Sequence, residues 1–350
     1  MSWLRANLFS SWPSGLATLA IAALAALWLP RLVDWALIDA VWRADPEACR
    51  AAAGACWGFV REKLRFIVFG TYPFAEQWRP ALACALLVAL WAASALRACW
   101  RPWLAALWIA GLAAIGALMW GGLPGLPYVE NERWGGLIVT LLLASFGAAF
   151  AFPLAVLLAL GRQSGLPALR AVCTAYIELV RGVPLISVLF MASVMLPLFL
   201  PEGVSVDKLL RAQAALALFA AAYLAEVVRG GLQAVPRVQD EAAEALGLGY
   251  AQRMRLVVLP QALGASIPPL VNTFIGLFKD TSLVLVIGLF DFLSTVKVSL
   301  QDPRWSGYGV EAYVFTALVY FAFCSAMSAY SRRLERARPG VAPGAALGDS

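Results

Sequence analysis

Apolar and polar positions along this chain fall in long blocks. Charged residues bound eight charge-free runs, at 6–30, 80–96, 102–129, 134–161, 182–201, 212–225, 256–278 and 312–331. A bilayer core roughly 30 Å thick needs about 20 apolar residues per helix. The blocks therefore predict an all-α polytopic membrane protein with about eight transmembrane helices. The 212–225 run is too short alone, so its helix carries Glu226 into or near the membrane. Run 6–30 continues as Leu32-Val33 and has no A-x-A site with a polar follow-on. It reads as a retained first helix, with a signal anchor as the weaker alternative.

An even number of spans puts both termini on one side. Arg332, Arg333, Arg336 and Arg338 follow the last span, which marks that side as cytoplasmic. Segment 39–80 then lies on the outer side. Within it Trp57, Val60, Leu64, Ile67 and Val68 recur at spacings of three and four, with Arg61, Glu62 and Arg65 between them. This predicts an amphipathic helix lying on the membrane surface or packed on the outer mouth. Cys49 and Cys56 sit in the same oxidising compartment and form a candidate disulfide. Cys84, Cys99, Cys173 and Cys324 fall in or beside spans and read as inert core residues.

Composition narrows the function. Of 350 residues 62% are hydrophobic and 14% charged, with a mean hydropathy of +0.77. An average soluble domain is about 25% charged, so a soluble enzyme, a disordered regulator and a secreted disulfide miniprotein are excluded. There is no histidine, which removes imidazole catalysis and imidazole metal sites. Lys63, Lys208, Lys279 and Lys297 are the lysines, and none follows the glycine frame of a phosphate loop. The cysteines form no CxxC pair, so nothing points to zinc. The net charge of +6 fits basic cytoplasmic loops rather than nucleic-acid binding.

One polar stretch, residues 229–262, lies between two spans. Gly230-Gly231 and Pro236 are expected to break the preceding helix. Asp240-Glu241 suit a helix N-terminus, and Ala242, Ala243, Ala245 and Leu246 continue a short helix that Gly247 and Gly249 end. A second helical piece runs from Tyr250 to Leu259 and stops at Pro260. A nearly smooth alanine face can dock in another protein's groove, and a rigid elbow can pass a movement to the spans beside it. A plain helical connector is the bland alternative.

Glu241-Ala242-Ala243, Gly247 after three residues, and Val257-x-Leu259-Pro260 resemble the EAA loop of ABC-importer permeases, with Val257 where isoleucine is usual. Further segments resemble the polar amino-acid branch of that family. They are Trp134-Gly135-Gly136-Leu137 with Thr140, the run Tyr176 to Leu185 with Val183 in place of threonine, Ala222 to Gly231, and Phe278 to Leu283. The resemblance covers roughly 131–335, and the layout with residues 1–130 resembles the long permeases of general L-amino-acid importers. It implies a five-helix type I importer core at 131–335 with a coupling loop at 236–262. It also implies an extension at 1–130 holding three extra helices and the periplasmic segment 39–80, and a cytoplasmic tail at 336–350. It implies a bacterial inner-membrane protein that binds no cofactor itself. ATP would be bound and hydrolysed by a separate ATP-binding ABC subunit gripping Glu241, Ala242, Ala243, Gly247, Leu259 and Pro260. The other partners implied are a second permease, identical or related, and a periplasmic amino-acid-binding protein.

Charges inside spans cost about 2.5 to 3.5 kcal/mol each on insertion scales, so each needs a reason. Glu178 and Arg181 are three apart, as are Glu226 and Arg229, and each pair can neutralise itself on one helix face. Lys279 and Asp280 point about 100° apart, so at least one needs another partner. Glu178, Arg181, Glu226, Asn272, Lys279 and Asp280 are candidates for a pathway or its gate, against the reading of structural pairing. Pro184 and Pro197 in one span, and Pro268-Pro269 in another, are expected to kink their helices. An ion-coupled secondary transporter or channel for small polar solutes is the alternative function, with Glu226 or Asp280 as its coupling carboxylate. An integral membrane enzyme has little support without histidine or a metal-ligand cluster.

Overall fold

The computed structural model describes residues 7–99, 101 and 103–336. Arg5, Arg338 and the remainder of the tail expected at 336–350 lie outside the described residues, apart from the helical Arg336. Among the described residues, seven helices are long and apolar enough to cross a membrane. A helix pair bent by 103° makes an eighth candidate. The chain divides into two compact units, one comprising the residues up to Arg65 with Val298–Phe315, the other Phe66–Lys297 with Thr316 onward.

In the first unit, α1 (Trp12–Val33) starts from a Ser11 cap and buries none of its residues. Leu19, Ile21, Leu24, Leu27 and Trp28 all stand outward, the surface of a helix solvated by lipid on every side. Helix α2 (Pro46–Ala51) is capped by the Asp45 carboxylate, which accepts from the Glu47 and Ala48 amides at 3.0 and 3.2 Å. A Cys49–Cys56 disulfide joins α2 to the start of α3 (Trp57–Phe69), with the two Cα atoms 5.5 Å apart. The apolar stripe of α3 is shifted from the expected one. Phe59, Val60 and Ile67 are buried, whereas Leu64 is 42% exposed. Burial selects the face holding Phe59, whose ring meets Trp305 edge-on at 5.9 Å. Lys63 on that side reaches Asp302 at 2.6 Å.

The second unit is built around a pair of long helices, α6 (Leu137–Arg162) and α9 (Lys208–Ala234). Two shorter neighbours, α4 (Trp78–Ala95) and α5 (Trp103–Trp120), pack on each other. Gly147, Ala151, Ala155 and Ala159 are buried at four-residue spacing on α6, and Ala217, Ala221 and Ala225 on α9. Apolar burial gives little drive between helices already in lipid, so small residues that permit close backbone approach take its place. The structure corrects the expected helix break at Gly230-Gly231: α9 runs through both glycines to Ala234. A Cβ at Gly231 would stand 2.5 Å from the Ala262 carbonyl oxygen. The glycine is there for close crossing of helices.

The prolines also differ from expectation. Pro184 caps α8 (Leu185–Phe190) after α7 (Pro167–Gly182), at the 103° bend, so residues 182–201 are half of a broken span. Pro197 lies in a tight turn, Leu196–Phe199. Pro268 and Pro269 occupy the first turn of α13 (Ile267–Asp280), where a missing N–H costs nothing. After α10 (Arg237–Ala245) and α11 (Tyr250–Arg253), a π-helical turn at Met254–Val258 lets the chain pass Pro260. Pro260 opens α12 (Leu259–Ala265) rather than stopping a helix. The unit also holds a parallel two-residue bridge, β1 (Gly135–Gly136) with β2 (Phe290–Asp291), and α14 (Phe292–Ser299). The last helix, α15, spans Gly309–Arg336.

Candidate coupling loop and charged cluster

The loop between α9 and α12 is an exposed elbow. Gly247 has φ +79°, a left-handed conformation that costs other residues about 1 to 2 kcal/mol. Its amide donates to the Glu244 carbonyl at 2.8 Å, and Leu248 N donates to Ala243 O at 3.2 Å, closing the end of α10. Arg253 of α11 pairs with Glu244 and, at 3.3 Å, with Asp240, bracing the two arms. Of the residues singled out by sequence, Glu241, Ala242, Gly247 and Pro260 are exposed, Ala243 is buried and Leu259 is half-buried. Leu246, Tyr250 and Leu256 are 82, 57 and 63% exposed. The motif does not include these three, yet with Val238 they form much of the apolar part of the elbow's surface.

The charged residues pair differently from the expectation. Glu226 binds Arg229 one turn along α9, as expected. Glu178, however, pairs with Arg162 at 2.7 Å and not with Arg181, while Arg181 approaches Glu226 at 3.8 Å. The other arm of Arg162 reaches Glu226 at 2.9 Å. Arg162 is the residue that spacing could not find, because its partners are 16 and 64 positions away. Its signal is its place as the charge directly after a long apolar run.

A cavity of about 490 Å³ lies beside this cluster. Its wall includes Leu185, Phe219, Tyr223, Asn272, Thr273 and Asp280. Asn272 and Asp280 are thus brought together, whereas Glu178, Arg181, Glu226 and Lys279 do not line it. Lys279 is exposed, so the lining carries one carboxylate and no cation. Tyr223 joins cavity to cluster: the Arg181 guanidinium stands 5.6 Å from its ring centroid, and its hydroxyl donates to the Arg181 carbonyl at 3.4 Å. Phe219 and Tyr223, four apart on α9, are aromatic positions that no charge marks in the sequence. Among the described residues, no three His, Cys, Asp or Glu side chains cluster as a metal site would need.

Residues 151–338 match the family described as binding-protein-dependent transport system inner membrane component. The inner membrane amino-acid ABC transporter permease protein YhdY of Escherichia coli (strain K12) is 49% identical over 342 residues, 96% of this chain and 92% of that protein. The glutamate/glutamine/aspartate/asparagine transport system permease protein BztC of Rhodobacter capsulatus is 39% identical, covering 96% of this chain and 93% of its own. A crystal structure of an amino acid ABC transporter with histidines aligns with TM-score 0.52 and 32% identity, over 58% of this chain and 92% of that one.

Proposed function

The chain belongs to the family of binding-protein-dependent transport system inner membrane components, and we propose that it is the transmembrane permease subunit of an ATP-driven amino-acid importer. It is a multi-pass inner-membrane protein of mostly helical fold. Residues 131–335 form its transport core and residues 1–130 an extension, with both termini cytoplasmic. It performs no covalent chemistry and binds no cofactor. A separate ATPase binds ATP and grips the elbow at Glu241, Ala242, Ala243 and Gly247. A second permease completes the pathway, and a periplasmic amino-acid-binding protein delivers the substrate.

The observation that carries this reading is the elbow itself. A braced unit that leaves Leu246, Tyr250 and Leu256 exposed has an apolar surface suited to a partner. Because α9 is continuous to Ala234, displacement of the elbow moves the wall of the cavity, which Phe219 and Tyr223 of the same helix line. The cavity suits a small zwitterion held loosely: Asp280 faces its ammonium, while Asn272 and Thr273 offer neutral dipoles.

Gly247→Arg tests the reading. Among the described residues, nothing beyond its chain neighbours lies within 4 Å of a Cβ at Gly247, so beyond backbone strain the bulk falls on whatever docks there. The expected result is loss of ATP-dependent uptake in proteoliposomes while the permease still folds. Uptake driven by an ion gradient, unaffected by this change and needing no ATPase, would favour a secondary transporter instead.

A further inference from the structure

We propose that Arg162 is a positioning residue, an ion latch that ties the elbow-bearing helix to the helix that bends into the cavity wall. The proposal rests on the importer reading above. One guanidinium holds two helices at once: Nη2 lies 2.7 Å from Glu178 Oε1 on α7, and Nη1 lies 2.9 Å from Glu226 Oε2 on α9. A planar guanidinium holds its two carboxylates at a fixed mutual geometry, whereas an ammonium is a compact point charge whose donors rotate on a flexible stem.

The position of the latch gives it a task. Glu178 is one turn before the 103° bend, and just past the bend Leu185 lines the cavity. Glu226 lies eight residues before the end of α9, about 12 Å along the helix, and the elbow begins directly after. The smooth alanine seam between α6 and α9 ends where Arg162 and Glu226 meet. The cluster is contested as well, with Arg162, Arg181 and Arg229 competing for the carboxylate of Glu226. Arg181 in turn rests on the cavity-lining Tyr223. Glu178 is exposed, and exposed pairs exchange at small cost. A static strut would be buried, whereas a partly solvated, multiply claimed carboxylate suits an arrangement that is remade in each transport cycle.

The test uses the complete importer, with its ATPase and binding protein, in proteoliposomes. Uptake and ATP hydrolysis are measured on the same vesicles for wild type, Arg162→Gln, Arg162→Lys, Glu178→Gln and the Arg162→Gln/Glu178→Gln double variant. The latch predicts that Arg162→Gln lowers uptake per ATP hydrolysed about tenfold, within the range of allosteric couplings, with hydrolysis continuing. Arg162→Lys falls between wild type and Arg162→Gln. The double variant is no worse than Arg162→Gln alone, because the two residues act as one pair. An unchanged uptake-to-hydrolysis ratio in assembled Arg162→Gln complexes overturns the proposal, as does a parallel fall of both activities. Should Arg162→Gln fail to assemble, an unchanged ratio in both Arg162→Lys and Glu178→Gln overturns it equally. Wild-type vesicles without ATP-dependent uptake would overturn the importer reading, which separates the two failures.

Discussion

Two polar segments outside the spans solve opposite problems. The elbow at Arg237–Val258 leaves its large apolar side chains in the open, with Leu246 82% exposed, and is held by one glycine turn and the pairs of Arg253. The segment around α3 packs aromatic rings inside, although Leu64 stays 42% exposed. Phe59 and Trp305 are fully buried, a disulfide closes it, and Glu311, itself 7% exposed, accepts the Cys56 amide at 3.1 Å. A surface awaiting a partner keeps its apolar residues outside; one that is already complete buries them and cross-links itself.

The sharpest break in this comparison is Leu246→Glu. If the elbow is a docking surface, a charge at its most exposed leucine should cost the interface about 2 kcal/mol or more, roughly thirtyfold in affinity. Thermal unfolding of the permease should hardly move, because the residue touches little of its own chain. ATPase pull-down paired with a melting curve checks both halves. A melting loss with docking intact would make the elbow a packed connector instead.

In the segment around α3 the largest effect should come from Cys49→Ser/Cys56→Ser. Closing so short a loop contributes about 2 kcal/mol by chain entropy. Amide exchange across residues 45–60 should rise, while ATP-driven uptake should persist. A loss of uptake without faster exchange would give the segment a direct transport role.

Much of this could be read from the chain, and the failures share a cause. The charge-free runs located most of the spans because lipid demands apolar length, which is a local property, but run 256–278 is displaced from the helical stretch Ile267–Ile287 and run 182–201 is only half of a bent pair. The EAA spacing located the elbow because its glycine turn is also local. Long-range partners escaped. Residues three apart on a helix share a face, which points Glu178 to Arg181, yet it pairs with Arg162 on another helix. Gly230-Gly231 looked like a break because nothing in a linear sequence reveals that α12 crosses there. Pro260 looked like a stop because a π turn that frees it from donating is invisible to pattern. Spacing puts Leu64 on the apolar stripe, because it defines a face but not which face another element covers.

Gly247→Ala sharpens the comparison at smaller scale. With open space around the position, only the left-handed backbone opposes the methyl, a cost of about 1 kcal/mol. Amide exchange at Leu246–Leu248 should rise and docking should weaken modestly. The melting temperature should stay put, because a partner-facing elbow is not where the fold stores its stability.

The smallest effect should come from pH. Arg304 hydrogen bonds first, and Lys63 second, hold the Asp302 carboxyl well below the usual carboxylate range. A depressed carboxylate stabilises the fold above its unfolded value, about 3.9, and loses that contribution as pH falls through the folded one. Between pH 8 and 5 the segment around α3 should therefore be indifferent to acid, and only in stronger acid should it loosen. Asp302→Asn should abolish that acid step and leave neutral-pH exchange in Trp57–Arg65 only slightly faster, because the pairs with Lys63 and Arg304 are partly solvated. Amide exchange followed from pH 7 down to pH 3 reads both. An acid step that survives Asp302→Asn would move its origin away from this pair and leave Cys49–Cys56 and the buried Phe59–Trp305 contact as what holds the segment closed.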